Sequence, residues 1–200
     1  MSEKQSVLFP SDSSKASSSL NVLQGLDRGE VEPLVLEVVE VLKPFCRNVM
    51  VAGSFRRGKP TINDLDIVVN QNLPSSTVRD PWLHAVKAVR YRFGAITEKQ
   101  GDKLATLYLP FSGKDANGHV QADFYCADSK TWGILLLVRT GSKEHNVKLC
   151  NLALNKGFRL QYSVGLTDKA GRVVAGRTEE EVFSALGLAF VEPKDREVSQ

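Results

Sequence analysis

Hydrophobic positions take up helical spacing from Val31 onward. Val31, Leu34, Val35, Val38, Leu42 and Phe45 predict a helix that ends near Pro44. The apolar run Val49–Ala52 then reads as a strand, and Gly53-Ser54 as a tight turn into a short helix. Asp64–Val69 is a second strand in which acidic and apolar side chains alternate, and Gln71–Ser76 is a loop. Asp80-Pro81 has the form of an N-cap followed by proline at the first helical position. Trp82, Val86, Val89 and Phe93 supply the apolar stripe of that helix, with Lys87, Arg90 and Arg92 on its other faces. Ala95–Gln100 and Lys103–Phe111 read as strands joined by a Gly101-Asp102 hairpin turn. Gly113–Gly118 is a second turn and His119–Cys126 a third strand.

The second half changes period. Ile134–Val138, after Trp132-Gly133, predicts an apolar helix. Thr140-Gly141-Ser142 permits a reversal before a helix over Lys143–Lys156, which Gly157 ends. Leu160–Leu166 and Arg172–Val174 predict short strands, and Thr178 with Glu181 forms a capping box. Residues 1–29 stand apart as a flexible tail, because Ser11–Ser19 is mostly serine and has little to bury. Leu20, Val22, Leu23 and Leu26 give it a short docking segment to which no function is assigned.

Composition narrows the class without choosing it. Two hundred residues suffice for one or two small domains with a real core. A net charge of +3 is compatible with nucleic acid but does not argue for it, since placement of charge matters more than its total. Cys46, Cys126 and Cys150 are odd in number and widely spaced, which argues against a zinc ribbon or a disulfide framework and for reduced thiols in an intracellular protein. No apolar run is long enough to span a bilayer, and the N-terminus shows no signal-peptide pattern.

The chemistry concentrates between Gly53 and Asp66. Asp64 and Asp66 point to one face of their strand, where they repel each other and lose hydration. A divalent cation resolves both problems, and Mg²⁺ takes carboxylates together with substrate phosphates. Upstream, Gly53 allows close backbone approach, Ser54 can open a helix whose N–H groups favour anions, and Arg56, Arg57 and Lys59 add positive charge. An Asp-x-Asp pair alone is more often a solvated edge or turn, and Gly-Ser before basic residues is common. The specific signal is the two together, in this order and at this separation. Asp123, set between apolar neighbours in its strand, is costly unless paired or metal-bound; an edge-strand position facing solvent is the bland alternative.

The run Gly53-Ser54-Phe55-Arg56-Arg57-Gly58 followed by Asp64-Leu65-Asp66 resembles the nucleotidyltransferase signature of the family X DNA polymerases, the group that includes DNA polymerase beta. Thr140-Gly141-Ser142, Lys156-Gly157-Phe158-Arg159-Leu160, Gly176–Phe183 and Glu192–Arg196 extend the likeness over residues 31–197. The resemblance implies an α/β nucleotidyltransferase-type palm, a mixed sheet with helices over residues 30–139, followed by a small α+β thumb over 140–200. It implies a DNA-directed polymerase acting at short gaps or ends, in DNA repair, by two-metal nucleotidyl transfer. Asp64, Asp66 and Asp123 would be the catalytic metal ligands for two Mg²⁺ ions, with Mn²⁺ as a substitute. Gly53, Ser54, Arg57, Gly141, Ser142 and Asn146 would hold the nucleotide, while Arg56 supports the loop. The partners implied are gapped or primer-template DNA and nucleoside triphosphates. The expected protein is a monomer without membrane contact, cytoplasmic or nucleoid-associated, with a viral origin left open. Between residues 139 and 159, basic Arg139, Lys143, Lys148, Lys156 and Arg159 face a single acid, Glu144, which suits phosphate contacts.

Departures from the family pattern bear on specificity. Val138 and Arg139 stand where the family carries an aromatic pair that crowds the sugar, and Cys150 stands where it carries a template-reading arginine. The stretch before Val31 is too short for the family's N-terminal lyase domain, so a minimal palm-plus-thumb form is expected. Template-independent or RNA-directed transfer is the alternative. A non-catalytic nucleic-acid-binding module would have no reason to keep three converging carboxylates.

Overall fold

The computed structural model describes residues 20–72 and 79–197. Most of the expected tail, residues 1–19, lies outside them, as does most of the expected Gln71–Ser76 loop. Val22 makes a parallel bridge to His119, and the short strand β1 (Leu26–Asp27) buries Leu26 in the core. Asp27 then caps α1 (Arg28–Leu42), its side chain accepting from the Gly29 and Glu30 amides. The chain continues through β2 (Cys46–Val51), the single-turn helix α2 (Gly53–Arg56), β3 (Thr61–Ile62) and β4 (Asp64–Gln71). β1 and β3 pair as a two-stranded ribbon. Next come α3 (Pro81–Phe93), capped by Asp80 with Pro81 in its first turn, β5 (Ile96–Gln100), β6 (Leu104–Ser112) and β7 (Asn117–Ala127).

Five strands form one mixed sheet in the order β2-β4-β7-β6-β5, in which only β4 and β7 run parallel. Alternation sends Leu65, Ile67, Ala122 and Phe124 to one face, where α1 and α3 cover them with Val35, Val38, Val86 and Val89. The opposite face presents Asp64, Asp66, Val68, Asp123 and Tyr125. Its apolar end is covered by Leu135 and Leu136 of α4 (Trp132–Thr140). This is the α/β palm that the sequence led us to expect.

Beyond α4 follow α5 (Lys143–Asn155), β8 (Arg159–Gln161), β9 (Gly165–Thr167), β10 (Val173–Ala175), α6 (Glu179–Ala185) and a 3-10 turn over Pro193–Asp195. The strand expected over Leu160–Leu166 is instead a hairpin: β8 and β9 pair antiparallel, with Gly165 at φ 126° opening the return strand. Ile134 and Leu137 share the second core with Leu149, Ala153, Leu166, Val182 and Phe183. α4 is therefore apolar nearly all round because it is packed from both sides, by the large sheet and by this smaller α+β unit.

Candidate active site

The parallel register of β4 on β7 sets the floor of the site. It places Asp66 directly opposite Asp123, and Asp64 opposite Gln121. Burial raises the Asp64 carboxyl above its usual range and Asp123 raises it further, while Arg57 works against the shift. Asp66 is pushed up to about 7, first by burial and then by Asp64 and Asp123, with Arg139 and Tyr125 opposing. Asp123 Oδ1 accepts from Thr106 Oγ1 at 2.6 Å and Oδ2 from Gln121 Nε2 at 3.0 Å.

The turn after β2 is fastened against this floor. The Ala52 amide donates to Asp66 O at 2.7 Å, which brings Gly53 over the Asp66 side chain. Gly53 has φ 56°, and a Cβ there would lie 2.3 Å from Asp66 Oδ2, so both conformation and space demand glycine. Ser54 follows with a buried hydroxyl that has no partner among the described residues.

A cavity of about 720 Å³ opens between this turn and the start of α5. Gly53, Ser54, Arg57, Asp64, Asp66, Val138, Arg139, Gly141 and Asn146, all singled out from the sequence, line it. Lys59, Thr61, Asn63 and Lys143 line it too. Thr61 and Asn63 went unnoticed, and the signal that could have found them is the alternation of polar Lys59, Thr61 and Asn63 with Pro60 and Ile62. Asp123 lies at the edge of the floor and is not among the lining residues. Neither is Ser142, whose hydroxyl donates to Arg196 O at 2.8 Å and caps α5 by accepting from the His145 amide. The Asn146 amide group donates to Val138 O at 2.8 Å, leaving its Oδ1 buried and without a partner among the described residues. Arg139 stacks over the Tyr125 ring, 3.8 Å from the centroid, with Tyr162 at 5.7 Å.

Arg56 turns away from the cavity. It pairs with Glu179 through both terminal guanidinium nitrogens, at 2.6 and 3.0 Å, and bonds to Thr140 Oγ1 at 2.7 Å. Glu179 also receives Arg196 Nη1 at 2.7 Å, and both Glu179 and Arg196 are buried. This network, absent from any reading of the sequence, ties the Gly-Ser turn to α4, α6 and the last described residues.

Among the described residues no three His, Cys, Asp or Glu side chains are gathered into a ready-made cation cage. The donor set still suits a hard divalent cation. Asp64, Asp66 and Asp123 offer only oxygens, and none of them takes part in an ion pair among the described residues. Each Asp123 oxygen keeps a free lone pair beside its present bond.

Comparison with known proteins adds an independent line. The family model described as DNA polymerase beta thumb matches residues 135–197. The chain is 28% identical over 174 residues to the DNA polymerase/3′-5′ exonuclease PolX of Bacillus subtilis, covering 86% of this chain and 27% of that protein. It is 27% identical over 190 residues to DNA polymerase lambda of Rattus norvegicus, covering 86% and 32%. It is 26% identical over 208 residues to the DNA nucleotidylexotransferase of Eulemur macaco, covering 84% and 40%. The chain therefore spans between about a quarter and two fifths of the length of these relatives.

Proposed function

We infer that this chain, which belongs to the family X DNA polymerases, transfers a nucleotide from a nucleoside triphosphate to a primer 3′-hydroxyl at short gaps or ends of DNA. The observation that carries the reading is the register that sets Asp123 opposite Asp66, where Asp66 and Asp64 line a cavity whose walls are the Gly53–Lys59 turn and the start of α5. Two divalent cations, Mg²⁺ or Mn²⁺, held by Asp64, Asp66 and Asp123, would when bound supply positive charge at the attacking and departing oxygens.

The remaining work belongs to the chain's own groups. Ser54, with its unpartnered hydroxyl, and the basic trio Arg57, Lys59 and Lys143 receive the triphosphate. Arg57 is held in place before the nucleotide arrives by its bonds to Thr140 O and Glu197, so it needs little reorganisation as charge develops on the transferring phosphoryl. Asp123, fixed by Thr106 and Gln121, is the carboxylate assigned to take the proton of the primer hydroxyl. Asn146 lines the same cavity and is the α5 residue assigned to the nucleotide. We place the protein as a monomer inside the cell, in the cytoplasm or nucleoid, in DNA repair. No helix among the described residues is long and apolar enough to cross a membrane.

Extension of labelled primers on gapped, recessed and single-stranded DNA and RNA tests this reading. Activity on gapped or recessed DNA is expected. Activity confined to single strands or RNA would favour the template-independent or RNA-directed alternative, which Cys150 in place of a template-reading arginine keeps open. At the sugar edge, Val138 presents little bulk and Arg139 is drawn onto Tyr125. Ribonucleotides should therefore be rejected weakly, by less than a factor on the order of a thousand, or roughly 4 kcal/mol. The ratio of incorporation efficiencies for matched deoxy- and ribonucleotides checks this.

A further inference from the structure

Arg57 lines the cavity, yet its guanidinium already has an anion. Its Nε donates to Glu197 Oε1 at 2.6 Å, and its Nη1 donates to Thr140 O. The other oxygen of the same carboxylate lies 3.1 Å from Lys59 Nζ, the second cation on that wall. Burial works against the charged form of Glu197, but hydrogen bonds from Arg57 and Lys59 outweigh it and hold the carboxyl below its ordinary value. One carboxylate thus spans two cavity cations with one oxygen on each, the geometry in which a phosphate group would engage them.

The attachment is open to solvent on one side. The Glu197 and Lys59 side chains are 36% and 42% exposed, so that pair is screened by water and salt, while the less exposed Arg57 makes the closer bond. The backbone beside it is secured separately, because Arg196 is anchored through Val191 O, Glu179 and the Ser142 hydroxyl. The Glu197 side chain can therefore swing out without unseating the segment that carries it. A polyphosphate brings several negative charges to the same two cations, so it wins the exchange.

We propose that Glu197 is a stand-in anion of the nucleotide site, occupying Arg57 and Lys59 until an incoming triphosphate displaces it, and thereby setting the affinity for that group. The inference rests on the reading of Arg57 as a triphosphate-binding cation. A purely orienting role for Glu197, as a splint for the guanidinium, has the opposite sign.

Isothermal titration of the full chain with inorganic tripolyphosphate, without divalent cation, separates the two. The wild type is compared with Glu197→Gln, which keeps an acceptor for Arg57 and removes the charge, and with Arg57→Ala. Thermal melts establish that each variant is folded. Glu197→Gln should bind tripolyphosphate roughly three- to tenfold more tightly, and Arg57→Ala should bind more weakly. Unchanged or weaker binding by Glu197→Gln, with Arg57→Ala weakened, overturns the inference and leaves the reading of Arg57 standing. Unchanged binding by Arg57→Ala overturns both.

Discussion

Gly53 makes the most exacting demand on a single residue. A methyl group there meets both a left-handed φ and the Asp66 carboxylate. Gly53→Ala should cost about 1–3 kcal/mol of stability. It should also cut nucleotide incorporation by roughly a hundredfold, on the scale of a 1 Å misplacement of a reacting group. Urea denaturation and single-turnover incorporation measure the two effects. His145 makes a different demand. Its pKa is lowered from 6.5 to about 4, first by burial and then by Arg196, with Asn146 and Glu179 opposing. The unfolded chain then takes up a proton as pH falls through 6.5 while the folded chain does not. The contribution of His145 is full above pH 6.5 and is lost progressively toward pH 4. The slope should stay below about 1.4 kcal/mol per pH unit, the limit for one proton bound by the unfolded chain and not by the folded one. Comparing the pH dependence of unfolding in wild type and His145→Asn isolates it, since the opposing contributions of Asp64 and Asp66 are common to both. Equal slopes would contradict the assignment.

At the scale of elements, α4 and the Arg56–Glu179–Arg196 network join the two units. α4 starts close against α6: the Gly133 amide donates to Arg177 O at 3.1 Å, and a Cβ on Gly133 would sit 2.1 Å from the Thr178 backbone. Glu179 is the shared anion of two guanidinium groups. Glu179→Ala takes from Arg196, 1% exposed, its ion-pair partner among the described residues. The expected cost is about 3–5 kcal/mol of unfolding free energy, measured by chemical denaturation, and a change under 1 kcal/mol would show that the network contributes little. The elements themselves were legible wherever periodicity was clean, as in α1, β4, α3 and the β5–β6 hairpin. The β8–β9 hairpin was not, because Leu160–Leu166 runs through its turn with Gly165 as the only break. The ion network was invisible for another reason. Arg56 and Glu179 lie 123 residues apart, and a charged side chain with no nearby partner is read as solvated by default.

In the whole molecule, the two units close over a cavity in which cations from the turn and from α5 face carboxylates from the sheet. The sequence made the carboxylate pair legible through the two-residue strand period. The Gly-Ser turn was legible through its glycine and its basic residues. The meeting of Asp66 with Asp123 was harder to read, because register between parallel strands separated by a helix and a hairpin is a tertiary property. Ser142 shows the limit in the other direction: a residue marked by motif is spent on capping a helix and holding Arg196 O. The central claim, that the facing carboxylates run nucleotidyl transfer, is tested most directly by primer extension on gapped DNA in Mg²⁺ with Asp123→Asn. The substitution keeps an oxygen for Thr106 and removes the charge, so the protein should melt near the wild-type temperature. Extension should fall by roughly a thousandfold or more. A folded Asp123→Asn protein that extends primers at close to the wild-type rate would contradict the claim.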